Sequence, residues 1–342
     1  MCTSKRPAPP ARLAAIVPML IIAALGGCAA VSPSVAPGTP LQRHGDEIII
    51  AGQAYRTGAP VVVLWTDPGG YDAYRTEYRF EPFDERRYDP NFRALNGPQR
   101  YNMRQAGLSE EERELVRGGG WPLELLQREV DQFVIHYDVC GTSQRCFDVL
   151  HDHRGLSVHF MLDIDGTIYQ TLDVKERAWH ASQANTRSVG IEIANIGAYS
   201  PDEPETLERW YGPDADGRTR ITLPSSMGDG GVRTPDFVGY PSGGVPISGE
   251  IHGTTYEQYD LTPEQYDSLI RLTATLCTVL PRIRCDYPRN DEGTVLTTVM
   301  PDEQWQSYGG LIGHFHLTTQ KIDPGPAFDW DRVVDGAKEL MR

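Results

Sequence analysis

Basic residues are in short supply in this 342-residue chain: 32 Lys and Arg stand against 47 Asp and Glu, a formal net charge of −15. A chain so acidic is repelled by nucleic acid and by anionic membrane faces, so neither is expected as its partner. The charge neither selects nor excludes a cell-wall polymer. Long apolar runs are also nearly absent, and the one extended example, Leu13 to Leu25, is too short to span a bilayer. Cysteine is sparse, with six residues in all. The later four, Cys140, Cys146, Cys277 and Cys285, lack the tight spacing of roughly two to four intervening residues that tetracysteine zinc clusters use, which argues against such a cluster. What is present, 39% hydrophobic residues, is enough to bury a core.

The first residues stand apart from that core. Lys5, Arg6 and Arg12 precede the apolar run, which ends in Leu25-Gly26-Gly27-Cys28. This resembles a bacterial lipoprotein signal peptide over 1–27, with Cys28 lipidated after cleavage. The plain alternative is an uncleaved anchor helix with an incidental cysteine. Cleavage would remove three basic and no acidic residues, taking the charge from −15 to −18. Ala29, where an inner-membrane retention signal would carry Asp, implies by the same resemblance the outer membrane, on the periplasmic side of a bacterial envelope. Residues 28–45, rich in Pro, Ser, Ala and Gly, read as a flexible tether. Export to an oxidising compartment makes Cys140–Cys146 and Cys277–Cys285 two expected disulfides.

Residues 46–120 form an N-terminal extension. Glu47–Ala51 and Ala59–Trp65 are short β-type runs, and 66–105 is dense in Tyr, Arg, Asp and Pro with little periodicity. This predicts an irregular extension packed on the main domain. Ser109-Glu-Glu-Glu112 is a capping-box start for a short helix ending at Gly118-Gly-Gly120, and Leu123–Val130 predicts another. Phe133-Val-Ile-His136 reads as a buried strand delivering a histidine at its C-terminal end. A helix to about His153 follows the Cys140–Cys146 loop. Ser157–Ile164 and Thr167–Leu172 predict a hairpin turning at Asp165-Gly166, and Ser188–Asn195 a strand with Glu192 at its centre. Residues 196–260 read as a long, only partly ordered insertion without sustained period, in which Asp214-Ala-Asp216-Gly217 is a turn rather than a calcium loop, since the downstream ligands are missing. Thr262-Pro263-Glu264-Gln265 opens a strong helix whose stripe of Tyr266, Leu269, Ile270, Cys277 and Leu280 faces a core. A terminal helix is expected over Trp330–Met341. Strands alternating with helices place one α/β domain over 121–342.

The chemistry gathers in Gly313–Trp330, GHFHLTTQKIDPGPAFDW. His314 and Asp323 are both good zinc ligands, and Pro324-Gly325-Pro326 holds the aspartate on a rigid turn. On an extended segment, Lys321 would project to the same side as Asp323. His136 can supply a third ligand, although a lone histidine at a strand end is more often a packed or hydrogen-bonded residue. Glu192 interrupts an otherwise apolar strand, and buried carboxylates are rare unless paired or functional. A catalytic zinc needs three protein ligands, an open position for water and a carboxylate to manage that water's proton. His136, His314, Asp323 and Glu192 meet that specification.

The segments FVIHYD, LSVHFMLDIDGTIYQ, RAWHAS, NTRSVGIEIAN and GHFHLTTQKIDPGPAFDW resemble, in this order, the zinc-dependent N-acetylmuramoyl-L-alanine amidases of the type 2 family, relatives of the peptidoglycan recognition proteins. Together they cover about 133–197 and 311–342. The resemblance implies a mixed central β-sheet flanked by helices, with one zinc at the floor of a groove. It implies His136, His314 and Asp323 as zinc ligands, Glu192 as catalytic carboxylate and Lys321 as the group polarising the scissile carbonyl. Trp179, His180 and Asn195 are the implied substrate contacts or supports, and the Cys140–Cys146 spacing is similar to a disulfide of the recognition proteins. The implied partner is peptidoglycan or its muropeptides, cleaved between N-acetylmuramic acid and L-alanine. A non-catalytic peptidoglycan-binding protein is the alternative, and an esterase or other amidase using the same zinc chemistry a third. In the binding relatives an anionic third ligand is commonly lost, and here Asp323 is present. Asp323 follows His314 by nine residues, one fewer than the resemblance leads one to expect. His316 competes with His314 as a ligand if the segment is a strand, since both would then point the same way. His159 reads as structural, and His44, His151, His153 and His252 as surface residues.

Overall fold

Two central strands read as almost unbroken apolar runs, QFVIHY and SVGIEI. Such runs are stable where both faces of a parallel sheet are covered. In the computed structural model, which describes Met1 and residues 36–74, 101–104 and 107–342, they lie side by side and parallel. The signal segment, Cys28, the tether up to residue 35 and residues 75–100 of the extension lie outside the described residues. Among the described residues no helix is long and apolar enough to cross a membrane. The chain divides into two compact units, Met1–Gln42 and Arg43–Arg342.

In chain order the strands begin with β1 (Glu47–Ile50), β2 (Gln53–Arg56), β3 (Val62–Leu64), β4 (Tyr101–Met103) and β5 (Gln132–Tyr137). They continue with β6 (Phe160–Leu162), β7 (Ile168–Gln170), β8 (Glu176–Ala178), β9 (Ser188–Ile193) and β10 (Tyr211–Pro213). The last are β11 (Thr219–Ile221), β12 (Ile247–Ile251), β13 (Thr254–Gln258) and β14 (Gly310–Gly313). The helices are α1 (Glu110–Val116), α2 (Leu123–Glu129), α3 (Ser143–Phe147), α4 (Glu205–Trp210), α5 (Pro263–Val279), α6 (Asp302–Ser307) and α7 (Trp330–Leu340). A wider turn, Asp148–His153, continues α3.

The main sheet runs β14-β5-β9-β6-β7-β3. Its first four strands are parallel, β7 is antiparallel to β6, and β3 is parallel to β7. The α/β class with a mixed central sheet therefore stands as expected. Side chains alternate across a strand. Phe133, Ile135, Val189, Ile191 and Ile193 face the main core, which α5 fills with Leu269, Leu272 and Leu276 and α7 with Val333 and Val334. The other face carries Val134 among Ala181, Ala184 and Ile312. By the same alternation it carries His136, Ser188, Gly190 and Glu192, so one face of the sheet is core and the other is free for chemistry.

Local signals account for the helices. Both capping boxes form: Ser109 with Glu112 opens α1, and Thr262 with Gln265 opens α5 behind Pro263. Such a cap contributes about 1 kcal/mol. The Asp214 turn is an ordinary hairpin turn between β10 and β11, its carboxylate accepting the N–H groups of Asp216 and Arg218 at 2.9 Å. Three expectations need correction. The extension is not merely laid on the domain, because β3 from Ala59–Trp65 is the edge strand of the main sheet. The 196–260 insertion is ordered, with α4 and the hairpins β10–β11 and β12–β13. His151 is buried rather than on the surface, stacked on Phe147.

Asp163, just after β6, is fully buried, with Oδ1 accepting the Ile164 N–H at 2.9 Å. Burial pushes its carboxyl up to about 8. A carboxyl whose folded pKa is raised contributes its full stability below the unfolded pKa, about 4, and loses it as pH rises through the folded value. Wild type should therefore lose roughly 1 kcal/mol per pH unit from this group across that window. Asp163→Asn removes that slope. Urea unfolding is expected to find the variant more stable than wild type at pH 8.5, with the gap closing by pH 5. An equal gap at both pH values would refute the assignment.

Candidate functional site

β5 and β9 are in register with His136 opposite Glu192, which puts both side chains at the C-terminal ends of parallel strands on the free face. β14 lies on the other side of β5 and ends at Gly313, so the chain leaves the sheet at His314 beside His136. The two imidazoles stand edge to face, centroids 4.6 Å apart. Asp323 returns to meet both: its Oδ2 is 2.7 Å from His136 Nδ1 and 3.1 Å from His314 Nδ1. One donor atom from each of the three lies within 4.8 Å of the others, and all three residues are buried. The pocket over them, about 110 Å³, is also lined by Glu192, Lys321, His180 and Cys140. It adjoins a cleft of about 570 Å³ lined by Trp179, Gln183, Leu317 and Gln320, with His180, His314 and Lys321 shared between the two.

The electrostatics suit a cation. Burial, then the neighbouring His314, pushes His136 down to about 4, so it is neutral at pH 7 with a lone pair to offer. Burial alone would raise Asp323, but the hydrogen bonds from His136 and His314 outweigh it and hold the carboxyl well below its ordinary range. Glu192 moves the other way: burial first, then Asp323 and Asp138, pushes it well above the usual carboxylate range. Two carboxylates on one pocket are thus driven in opposite directions, as acid–base sites require.

His316 does not share the ligand position. The segment after β14 is a 3-10 turn, not a strand, and the turn points His316 away from the pocket. Its Nδ1 accepts the Gly313 N–H at 2.8 Å and its Nε2 donates to the Leu296 carbonyl at 2.7 Å. Trp179 reaches the cleft. Asn195 does not: it is buried, donating to the Tyr259 carbonyl at 2.9 Å and accepting from Gly197 N–H at 2.9 Å. It ties the end of β9 to the insertion and is corrected from substrate contact to structural tie. His180 lines the pocket but has both ring nitrogens engaged, Nδ1 3.0 Å from His136 Nε2 and Nε2 3.2 Å from Ser188 Oγ. His159 takes an internal place, its Nδ1 accepting from Gly190 N–H at 3.1 Å. The four cysteines lie in two neighbouring pairs, Cys140 against Cys146 and Cys277 against Cys285.

Sequence reasoning missed Gln258, at the end of β13. Its amide donates to the Pro324 carbonyl at 3.0 Å and accepts from Ala327 N–H at 3.1 Å, clamping the turn that follows Asp323. Gly325 in that turn has φ +85, and a Cβ there would run into the Gln258 amide. The only signal for this was the glycine itself, since its partner lies in a segment without periodicity.

Residues 126–223 match the family described as N-acetylmuramoyl-L-alanine amidase. The match takes in His136, His180 and Glu192 and ends before His314, Lys321 and Asp323. Among solved structures the chain is similar to a selenomethionine AmpD derivative (16% identity, 70% of this chain and 90% of that one, TM-score 0.33). It is also similar to the E. coli amidase AmiD, solved with anhydro-N-acetylmuramic acid-L-Ala-D-gamma-Glu-L-Lys (18%, 68% and 60%, 0.33). A third is the endolysin amidase LysCS of Clostridium intestinale (18%, 64% and 88%, 0.33). No curated protein matches the chain.

Proposed function

We propose, from the match of residues 126–223 to the N-acetylmuramoyl-L-alanine amidase family, that the chain hydrolyses the amide joining N-acetylmuramic acid to the L-alanine of peptidoglycan stem peptides, as a zinc enzyme. The observation that carries this is the convergence of His136 and, from a second stretch of chain, His314 and Asp323 on one point beside Glu192 and Lys321. Two imidazole nitrogens and a carboxylate oxygen are a zinc-type donor set with room for a fourth position. Zinc held there would supply Lewis-acid chemistry and lower the pKa of the attacking water toward about 7.

The chain's own residues supply the rest. Glu192, kept basic enough by its surroundings to hold a proton, takes one from the attacking water and passes it to the leaving amide nitrogen. Lys321 Nζ, on the same pocket, stabilises the charge that builds on the carbonyl oxygen. The adjoining cleft, with Trp179 on its wall, is where the glycan and peptide flanking the bond would lie. A binding protein without turnover is disfavoured because Asp323 sits where the third ligand belongs. Mass spectrometry of muropeptides after incubation is expected to find free stem peptides beginning with L-alanine. Muropeptides bound but recovered intact would establish the binding protein instead.

From the resemblance of residues 1–28 to a lipoprotein signal we further propose that the chain is lipidated at Cys28, faces the periplasm from the outer membrane and carries two disulfides. Exported protein is expected in the membrane fraction with Cys140, Cys146, Cys277 and Cys285 resistant to alkylation, and Cys28→Ser in the soluble fraction. Membrane retention of that variant, or four reactive thiols, would count against the corresponding part.

A further inference from the structure

The N-terminal extension reaches the back of the metal pocket through one side chain. Arg104, immediately after β4, is fully buried. A guanidinium out of water must find acceptors for its five N–H groups, and usually a carboxylate is among them. Among the described residues Arg104 bonds none. Its Nε and Nη2 donate to the Val174 carbonyl at 3.2 and 3.1 Å. Nη1 donates to the carbonyls of Asn185 at 3.2 Å and Thr186 at 2.8 Å, and Nη2 to that of Ser188 at 2.8 Å. His159 Nε2 is 3.2 Å away, but it is the protonated nitrogen of that ring and donates to the Glu176 carbonyl at 2.9 Å.

Three of those carbonyls, of Asn185, Thr186 and Ser188, belong to the turn and the start of β9 that hold His180. Asn185 Oδ1 accepts the N–H groups of His180 at 3.1 Å and Ala181 at 2.6 Å. Ser188 Oγ is 3.2 Å from His180 Nε2. On the strand side Gly190 leaves room for the ring, since a Cβ there would fall 2.5 Å from His180 Nδ1. His180 is thus fixed from three directions, with its Nδ1 aimed at His136 Nε2. A histidine that holds a cation through Nδ1 carries its proton on Nε2, and the acceptor of that proton sets its tautomer and orientation.

We propose that Arg104 is a positioning residue for the metal centre, fixing the 185–188 turn and through it His180, which in turn orients His136. The inference rests on the metal reading above. It makes the extension part of the site, bracing a zinc ligand with an imidazole where a carboxylate or carbonyl commonly stands.

The test uses the full chain, with zinc affinity measured by competition with a chromophoric chelator and ligand geometry by the visible spectrum of the cobalt(II) form. His180→Leu is expected to weaken zinc binding by roughly 10–100-fold, as loss of such a partner does elsewhere. His180→Asn, which keeps an acceptor facing His136, should recover most of that loss. Arg104→Met should weaken binding in the same direction and alter the cobalt spectrum, yet add nothing in the His180→Leu background, because residues acting in series are not additive. Should Arg104→Met not fold, Arg104→Lys keeps a charge in the pocket without reaching three carbonyls at once, and the same loss is expected. Folded Arg104 variants with wild-type affinity and spectrum overturn the proposal, as do losses that multiply in the double variant. A wild-type chain that takes up no zinc overturns the metal reading itself, a separate result.

Discussion

Replacing His314 with alanine is expected to strip zinc from the chain and to lower muropeptide cleavage by about three orders of magnitude or more, while His316→Ala keeps both metal and activity. The contrast follows from the turn after β14. His314 Nδ1 meets Asp323, whereas both nitrogens of His316 are bonded to backbone on the far side. Burial also pushes His316 down to about 3, so it stays neutral within its own surroundings. Removing it leaves the buried Gly313 N–H and Leu296 carbonyl unpaired, which costs about 1–3 kcal/mol of stability for each group orphaned. The two variants should therefore separate cleanly: one loses metal and keeps most of its stability, the other loses stability and keeps metal. Zinc content by atomic absorption and urea unfolding, measured on both, decide it. A chelated wild type that retains full activity would end the zinc mechanism, and zinc lost from His316→Ala but kept in His314→Ala would exchange the two ligands.

That contrast shows how far a sequence carries a site. The candidate site residues were legible because they interrupt patterns. His136 ends an apolar strand and Glu192 sits inside one, so alternation alone puts both on the face opposite the core. The helix starts were legible because capping boxes at Ser109 and Thr262 are local. Residues His314 and His316 were not separable, because their directions depend on where β14 ends, and Gly313 does not announce a 3-10 turn. The run at Ala59–Trp65 was legible as a strand, but not its place as the edge strand β3, because its partner β7 lies some hundred residues on. Gln258 and Arg104 escaped because each acts through backbone carbonyls brought together by the fold, and a carbonyl leaves no trace in composition. Asn195 misled because its place in the family motif suggested contact with substrate, while the insertion supplies the partners that occupy it.

Glu192→Gln and Lys321→Ala are expected to retain zinc and fold while losing most turnover, and they should do so differently. Glu192 is half-buried in the pocket, with no side-chain hydrogen bond among the described residues, and its carboxyl is driven well above the ordinary range by burial and by Asp323 and Asp138. A carboxyl raised in this way contributes its full stability below its unfolded pKa of about 4 and loses it as pH rises through the folded value. At neutral pH it therefore does not hold the fold together, and Glu192→Gln should unfold no more easily than wild type. A residue kept for structure would show the reverse. In the proposed mechanism Glu192 takes the water's proton, so its loss should also remove the acidic limb of the pH–rate profile, which reports the ionisation of that base. In the same proposal Lys321 acts on the charge of the carbonyl oxygen, so Lys321→Ala should leave the limb in place and lower the rate by about 10²–10³, as loss of an oxyanion donor does. Steady-state rates from pH 5 to 9, with zinc content checked at each end, separate the two. A zinc-loaded Glu192→Gln chain turning over at the wild-type rate would end the assignment of Glu192. A Lys321→Ala chain whose acidic limb disappears would show that the lysine sets the ionisation of that base rather than stabilising the oxyanion.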